Sequence, residues 1–221
     1  MASSRIAQND PRAAHAVVRG ELQAATWKIE DAIYTLALPG TTMRQGAEMI
    51  AAQFPGGVLH EDIKRPSGGR ALARWDILAP EHEDRLHLVQ IEYDARRRHG
   101  WDSPWAARSL GVLVSHHALA RCGQRTVGRG ELCQLIPTIR AHVLAAARAQ
   151  QVGPILRGDT YRTIDSRGVL LWGTEPPRDG RHLALIARTW LDGATLADRS
   201  LRELVRLARN DAAPSFCRGV V

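Results

Sequence analysis

Near residue 70 the spacing of apolar side chains changes, and that change limits the architectures open to this chain. Over residues 12–36 the positions Ala14, Val17, Val18, Leu22, Ala25, Ile29, Ala32, Ile33 and Leu36 recur every three or four residues, the period of an amphipathic helix. Leu38-Pro39-Gly40 stops that run, Thr41-Thr42 can cap a second helix to about Phe54, and Pro55-Gly56-Gly57 closes it. Residues 58–69 read as a loop, with Ser67-Gly68-Gly69 as a turn. Over 70–78 and 85–93 the pattern is strand-like, and the polar turn at 80–84 between them predicts a hairpin with one wetter face.

Further along, residues 94–105 are polar and loop-like, and 109–114 form a short apolar segment leading into a helix start at Ser115. A long Ala/Leu-rich helix is predicted over about 129–151, with a break or a start near Pro137. Strands are predicted at 160–165, 168–174 and 182–190, and a last amphipathic helix at about 196–209. Helices and antiparallel strands without regular strand–helix alternation predict the α+β class: an antiparallel sheet with packed helices and an N-terminal helical element. The expected partition is a helical element over 1–57 and an α+β domain over 58–221.

Composition narrows the class. A chain of 221 residues can bury a core without staples. Cys122, Cys133 and Cys217 include no CxxC pair, so neither a disulfide framework nor a zinc knuckle is indicated, and no metal or cofactor is expected. No apolar run reaches the roughly 18 to 20 residues that span a bilayer. The first twenty residues are charged throughout and lack a signal-peptide core, so the expected compartment is the cytoplasm. The formal net charge is +7, and Lys28 and Lys64 are the only lysines among 30 basic residues. Two explanations stand: codon usage in a GC-rich genome, or a phosphate-binding surface built on guanidinium forks, with RNA or another nucleic acid as partner.

The segment Ser115-His116-His117-Ala118-Leu119-Ala120-Arg121-Cys122-Gly123-Gln124-Arg125 carries the most specific chemistry. On a helix each residue turns by about 100°, so His117, Arg121 and Arg125 fall on one stripe. A histidine moves a proton near neutral pH, and arginines beside it neutralise a phosphate as charge develops. That kit suits phosphodiester cleavage by a neighbouring 2′-hydroxyl without metal. The plain alternative is a solvated helix face, and His116 is expected to pack or cap. Arg188, inside the apolar run 183–191, needs either a buried partner or a cleft, and joins the candidate site.

The pattern Ser-x-His-Ala-Leu-x-Arg-x-x-x-Arg at 115–125 resembles the corresponding helix of small toxin-type proteins of the RelE/BrnT-like group. The resemblance covers residues 115–190. It implies a compact antiparallel sheet after the helix, metal-independent ribonuclease activity, and an acidic antitoxin or immunity partner, with His117, Arg121 and Arg125 as the residues carried over. This chain departs from the group in its large N-terminal extension and its long helix near 130–150.

Two other readings stay open. Asp76, Glu92 and Asp94 can converge from hairpin strands on a divalent cation, which would make a metal-dependent nuclease; carboxylates paired with arginine are the plainer account. Alternatively the arginines only bind, in a non-catalytic nucleic-acid or protein-interaction module. In either binding case Arg96, Arg97 and Arg98 can meet phosphate, Trp101 can stack a base, and Arg162 lies on a predicted strand. Trp101 and Trp105 serve equally to pin their loop to a core.

Overall fold

A computed structural model describes residues 11–38, 40–53, 58–63, 72–81, 85–98, 103–125, 132–153, 155–176, 183–194, 196–208 and 214–218. The chain runs α1 (Pro11–Ala37), α2 (Met43–Gln53), β1 (Val58–Ile63), β2 (Leu72–Glu81), β3 (Arg85–Asp94), a 3-10 turn (Ala95–Arg98), β4 (Trp105–Ser115) and α3 (His116–Arg125). It continues through α4 (Leu132–Val152), β5 (Tyr161–Ile164), β6 (Gly168–Glu175), β7 (Ala184–Asp192), α5 (Arg199–Leu207) and β8 (Ser215–Arg218). Among the described residues the strands make one eight-stranded sheet, ordered β1-β2-β3-β4-β7-β6-β5-β8. Every neighbouring pair is antiparallel except β4 and β7, which run parallel at the centre, Val112 opposite Leu185 and Val114 opposite Ala187. The fold is therefore α+β, an antiparallel sheet with packed helices and an N-terminal helical element.

Alternation along the strands sends side chains to two faces, and helices cover both. On one face Leu78, Leu86, Leu88, Val112, Val114, Leu170, Trp172, Leu185, Ala187 and Trp190 pack against the start of α1, against α3 and against α4. On the other, Trp75, Ile77, Val89, Ile91, Tyr93 and Trp105 pack against Ile50 of α2 and Leu36 near the end of α1. A third cluster sets Ile164 and Val169 beneath Val205 and Ala208 at α5. The hairpin is dry in its middle, where residues 77–80 and 88–91 are buried without interruption, and keeps a wetter stretch on one face farther along, where Arg74, Asp76, Glu92 and Asp94 are half-buried. Both N-terminal helices share cores with the strands. None of the described helices is long and apolar enough to cross a membrane.

Three other expectations change. Residues 58–63 form an edge strand rather than a loop, paired from Val58 opposite Ile77 to Ile63 opposite Leu72. Their six residues include His60, Glu61 and Asp62, a weak local β signal, and the pairing with β2 supplies what local preference does not. Strand β4 begins at Trp105 and bends at Gly111, whose φ of 67° allows a register shift between His87 and Val89 of β3. Helix α4 runs unbroken past Pro137, which is exposed in its second turn while Leu135, Ile139 and Val143 hold the inner face. The glycine turns at 56–57 and 67–69 lie outside the described residues.

Candidate active site

The helix carrying the predicted stripe is anchored by the residue just before it. Ser115 closes β4, and its hydroxyl donates to the Ala187 carbonyl at 2.8 Å while accepting from the Ala118 N–H at 3.2 Å. One side chain thus caps α3 and ties it to β7, which fixes where the first turn points. Helix α3 buries Ala118, Leu119, Ala120, Cys122 and Gly123. His116, His117, Arg121 and Gln124 stay half-buried, and Arg125 is exposed. The stripe of His117, Arg121 and Arg125 therefore lies away from the core, as the helical angle requires.

Helix α1 crosses this region with Ala14, Val18 and Leu22 fully buried in the same core. Helices α1 and α3 pack against each other here, and residues next to the buried Ala14 and Ala118 meet. The rings of His15 and His117 stack, with centroids 5.1 Å apart and planes inclined by 29°. His116 meets His15 edge-on at 5.1 Å and 75°. Three imidazoles thus gather where α1 passes the start of α3.

The electrostatics favour the neutral form of His15 and His117. Partial burial, followed by His116, His117, Arg121 and Arg19, lowers the pKa of His15 below its usual 6.5. Partial burial, followed by Arg121 and His116, does the same for His117. Both rings are available as bases at neutral pH, beside the charge of Arg121. His15 was not singled out by its sequence, yet a signal was there: His-Ala-Val-Val-Arg at 15–19 and His-Ala-Leu-Ala-Arg at 117–121 share one spacing.

The other predicted residues do not converge here. Arg125 donates to the Trp190 carbonyl at 3.4 Å, folding toward the end of β7. Arg188 is the extra residue of a bulge, since Leu171 pairs with Thr189 and Trp172 with Ala187. Its guanidinium lies where a Cβ on Gly173 would project. Gly173 alternates with Trp172, which faces α3 and α4, so Arg188 sits on the opposite face from His117. The expected cleft with both residues is not formed: the bulge lets an arginine inside an apolar run reach solvent without a buried partner. Arg162 donates through Nε to Cys217 Sγ at 3.2 Å. Arg96, Arg97 and Arg98 belong to the 3-10 turn, where Arg97 is exposed. Trp101 lies outside the described residues. Trp105 is buried between Trp75 and Tyr93 and donates to the Thr41 carbonyl at 3.2 Å, so it pins its segment to the core.

Two carboxylates of the metal reading, Asp76 and Glu92, are engaged by an amide and by cations. Asp76 accepts from Gln90 Nε2 at 2.9 Å. Glu92 lies 3.2 Å from Arg74 and 3.7 Å from Arg108, and Arg108 also donates to Gln90. Among the described residues no group of three or more His, Cys, Asp or Glu is arranged to hold a metal ion.

A second polar cluster also escaped sequence reasoning. His142 of α4 is fully buried, with Nδ1 2.8 Å from Thr163 Oγ1 and Nε2 3.1 Å from Asp165. Trp172 Nε1 donates to the same Thr163 oxygen at 3.0 Å. Arg167 binds Asp165 through its guanidinium and its backbone N–H, and Gly168 N–H adds a further bond. Thr163 is itself fully buried, so this cluster holds α4 to β5 and β6 and offers no nucleophile to a substrate. Compared with known proteins, the chain matches no family model, no curated protein and no solved structure.

Proposed function

We propose that this protein is a metal-independent ribonuclease that cleaves RNA by attack of a 2′-hydroxyl on the adjacent phosphodiester. The observation that carries the reading is His117: half-exposed, its pKa lowered by partial burial and by Arg121, and standing in the first turn of a capped helix. A neutral imidazole there accepts the 2′-hydroxyl proton as the oxygen attacks phosphorus. Arg121 neutralises charge that builds on the non-bridging oxygens, and the helix N-terminus adds a favourable dipole. The net charge of +7 favours a polyanion. The resemblance of residues 115–125 to toxin-type ribonucleases points the same way, and an acidic antitoxin would be the matching partner for such a stripe.

The test is RNA cleavage by the purified chain with EDTA present, alongside His117→Ala. Cleavage that survives chelator and is lost in the variant supports the reading. Activity that vanishes with EDTA and returns with magnesium moves the chemistry to Asp76, Glu92 and Asp94. Salt-sensitive binding with no cleavage at all leaves a nucleic-acid-binding module.

A further inference from the structure

We infer that α1 supplies the other half of this site, with His15 as the second proton-transfer residue and Arg19 as the second phosphate-binding arginine; the inference rests on the ribonuclease reading. Two helices far apart in sequence each present histidine followed four residues later by arginine. Helices α1 and α3 pack against each other, with Ala14 and Ala118 beside those histidines fully buried. The rings of His15 and His117 end 5.1 Å apart, close enough for one phosphate to touch both. Arg19 stands one turn beyond His15 on α1, and Arg121 one turn beyond His117 on α3. A solvated helix face gives no reason for the histidine of one such pair to stack on the histidine of the other, with Arg19 and Arg121 both acting on His15.

The reaction has a use for each ring. As the O2′–P bond forms, one neutral imidazole takes the 2′-hydroxyl proton. As the P–O5′ bond breaks, a protonated imidazole gives its proton to O5′, leaving a 2′,3′-cyclic phosphate and a 5′-hydroxyl. One ring must start neutral and the other charged. The charged groups acting on His15 are Arg19 from α1 and His116, His117 and Arg121 from α3. With those neighbours the stacked pair does not readily hold two protons, while the charge of a bound phosphodiester favours the first. The substrate therefore brings one ring to its acid form and leaves its neighbour as base.

The deciding experiment measures single-turnover cleavage of an RNA oligonucleotide by the full chain across the pH range where histidine titrates. Wild type should show a bell-shaped rate. His15→Phe keeps a ring for stacking and His15→Gln keeps a polar side chain of similar length. Whichever variants fold to the wild-type melting temperature should lose about 10²-fold or more in rate and one limb of the bell. Arg19→Ala should raise KM several-fold with less effect on kcat. If wild type cleaves and His15→Phe or His15→Gln matches it within about twofold with both limbs intact, His15 only packs and the inference is overturned while the ribonuclease reading stands. If wild type leaves RNA intact, both fall together.

Discussion

His15 and His117 stack ring on ring, 5.1 Å between centroids, although one belongs to the first helix and the other follows the fourth strand. Both carry a pKa lowered from 6.5, through partial burial first and neighbouring charges second. In the unfolded chain each returns to its ordinary value and binds a proton more readily. The stability tied to these rings is therefore present above about pH 6.5 and is lost as pH falls through the lower, folded-state values. Urea midpoints should drop between about pH 7.5 and about pH 5.5. A His15→Phe/His117→Phe double variant should show a smaller drop, and an identical pH slope in the two proteins would count against the stacked pair as its source.

His117→Ala should reduce RNA cleavage by about 10²- to 10⁴-fold, the usual worth of a proton-transfer group. Its ring is half-exposed and its neighbours Ala118 and Leu119 supply the buried contacts, so the melting temperature should hardly move. A well-folded and fully active variant would remove His117 from the chemistry.

Thr163→Val should cost about 1–3 kcal/mol, because His142 and Trp172 would each lose a buried partner at once. The same cluster makes the protein acid-sensitive. Burial alone would raise the Asp165 pKa, but the His142 ring 3.1 Å away and the hydrogen bonds from Arg167 outweigh it and hold the carboxyl well below the ordinary range. Its contribution is complete above the unfolded value near 4 and fades as pH falls below it. Chemical denaturation from neutral to acid pH should show that loss in wild type, and a weaker one in Asp165→Asn.

Two glycines should respond differently to alanine. A Cβ at Gly46 of α2 would overlap Cζ2 and Cη2 of the buried Trp105 ring and lie 2.9 Å from Leu36 Cδ2. Neither neighbour has room to retreat, so Gly46→Ala should cost about 1–3 kcal/mol despite alanine's better helix propensity. The atoms nearest to a Cβ at Gly173 all belong to the Arg188 guanidinium, the far end of an exposed side chain. Gly173→Ala should stay within about 0.5 kcal/mol of wild type. Thermal melts of the two variants side by side would settle the contrast.

Much of the architecture is written in local patterns. The three-and-four spacing over 12–36 corresponds to α1, the strand-like runs after residue 70 to β2 and β3, and the stripe of His117, Arg121 and Arg125 to the outer side of α3. Such features depend on a window of one or two turns, or a few strand residues, and so need no knowledge of distant chain. Strand β1 was not legible, because a charged six-residue segment becomes a strand only when β2 offers its edge. Arg188 was misplaced because a bulge depends on the register between two strands, which neither strand specifies alone.

What the sequence determined by itself, then, is the period of the helices and of most strands, and the outer side of α3 that His117, Arg121 and Arg125 occupy. Tertiary structure decided which faces meet: that β4 and β7 pair in parallel, that His142 lies under Asp165 and Thr163, and that His15 stacks on His117. The physical reason is that periodicity follows from backbone geometry within a few residues. Pairing between elements follows from burying every apolar face at once, and that condition applies only to the whole chain.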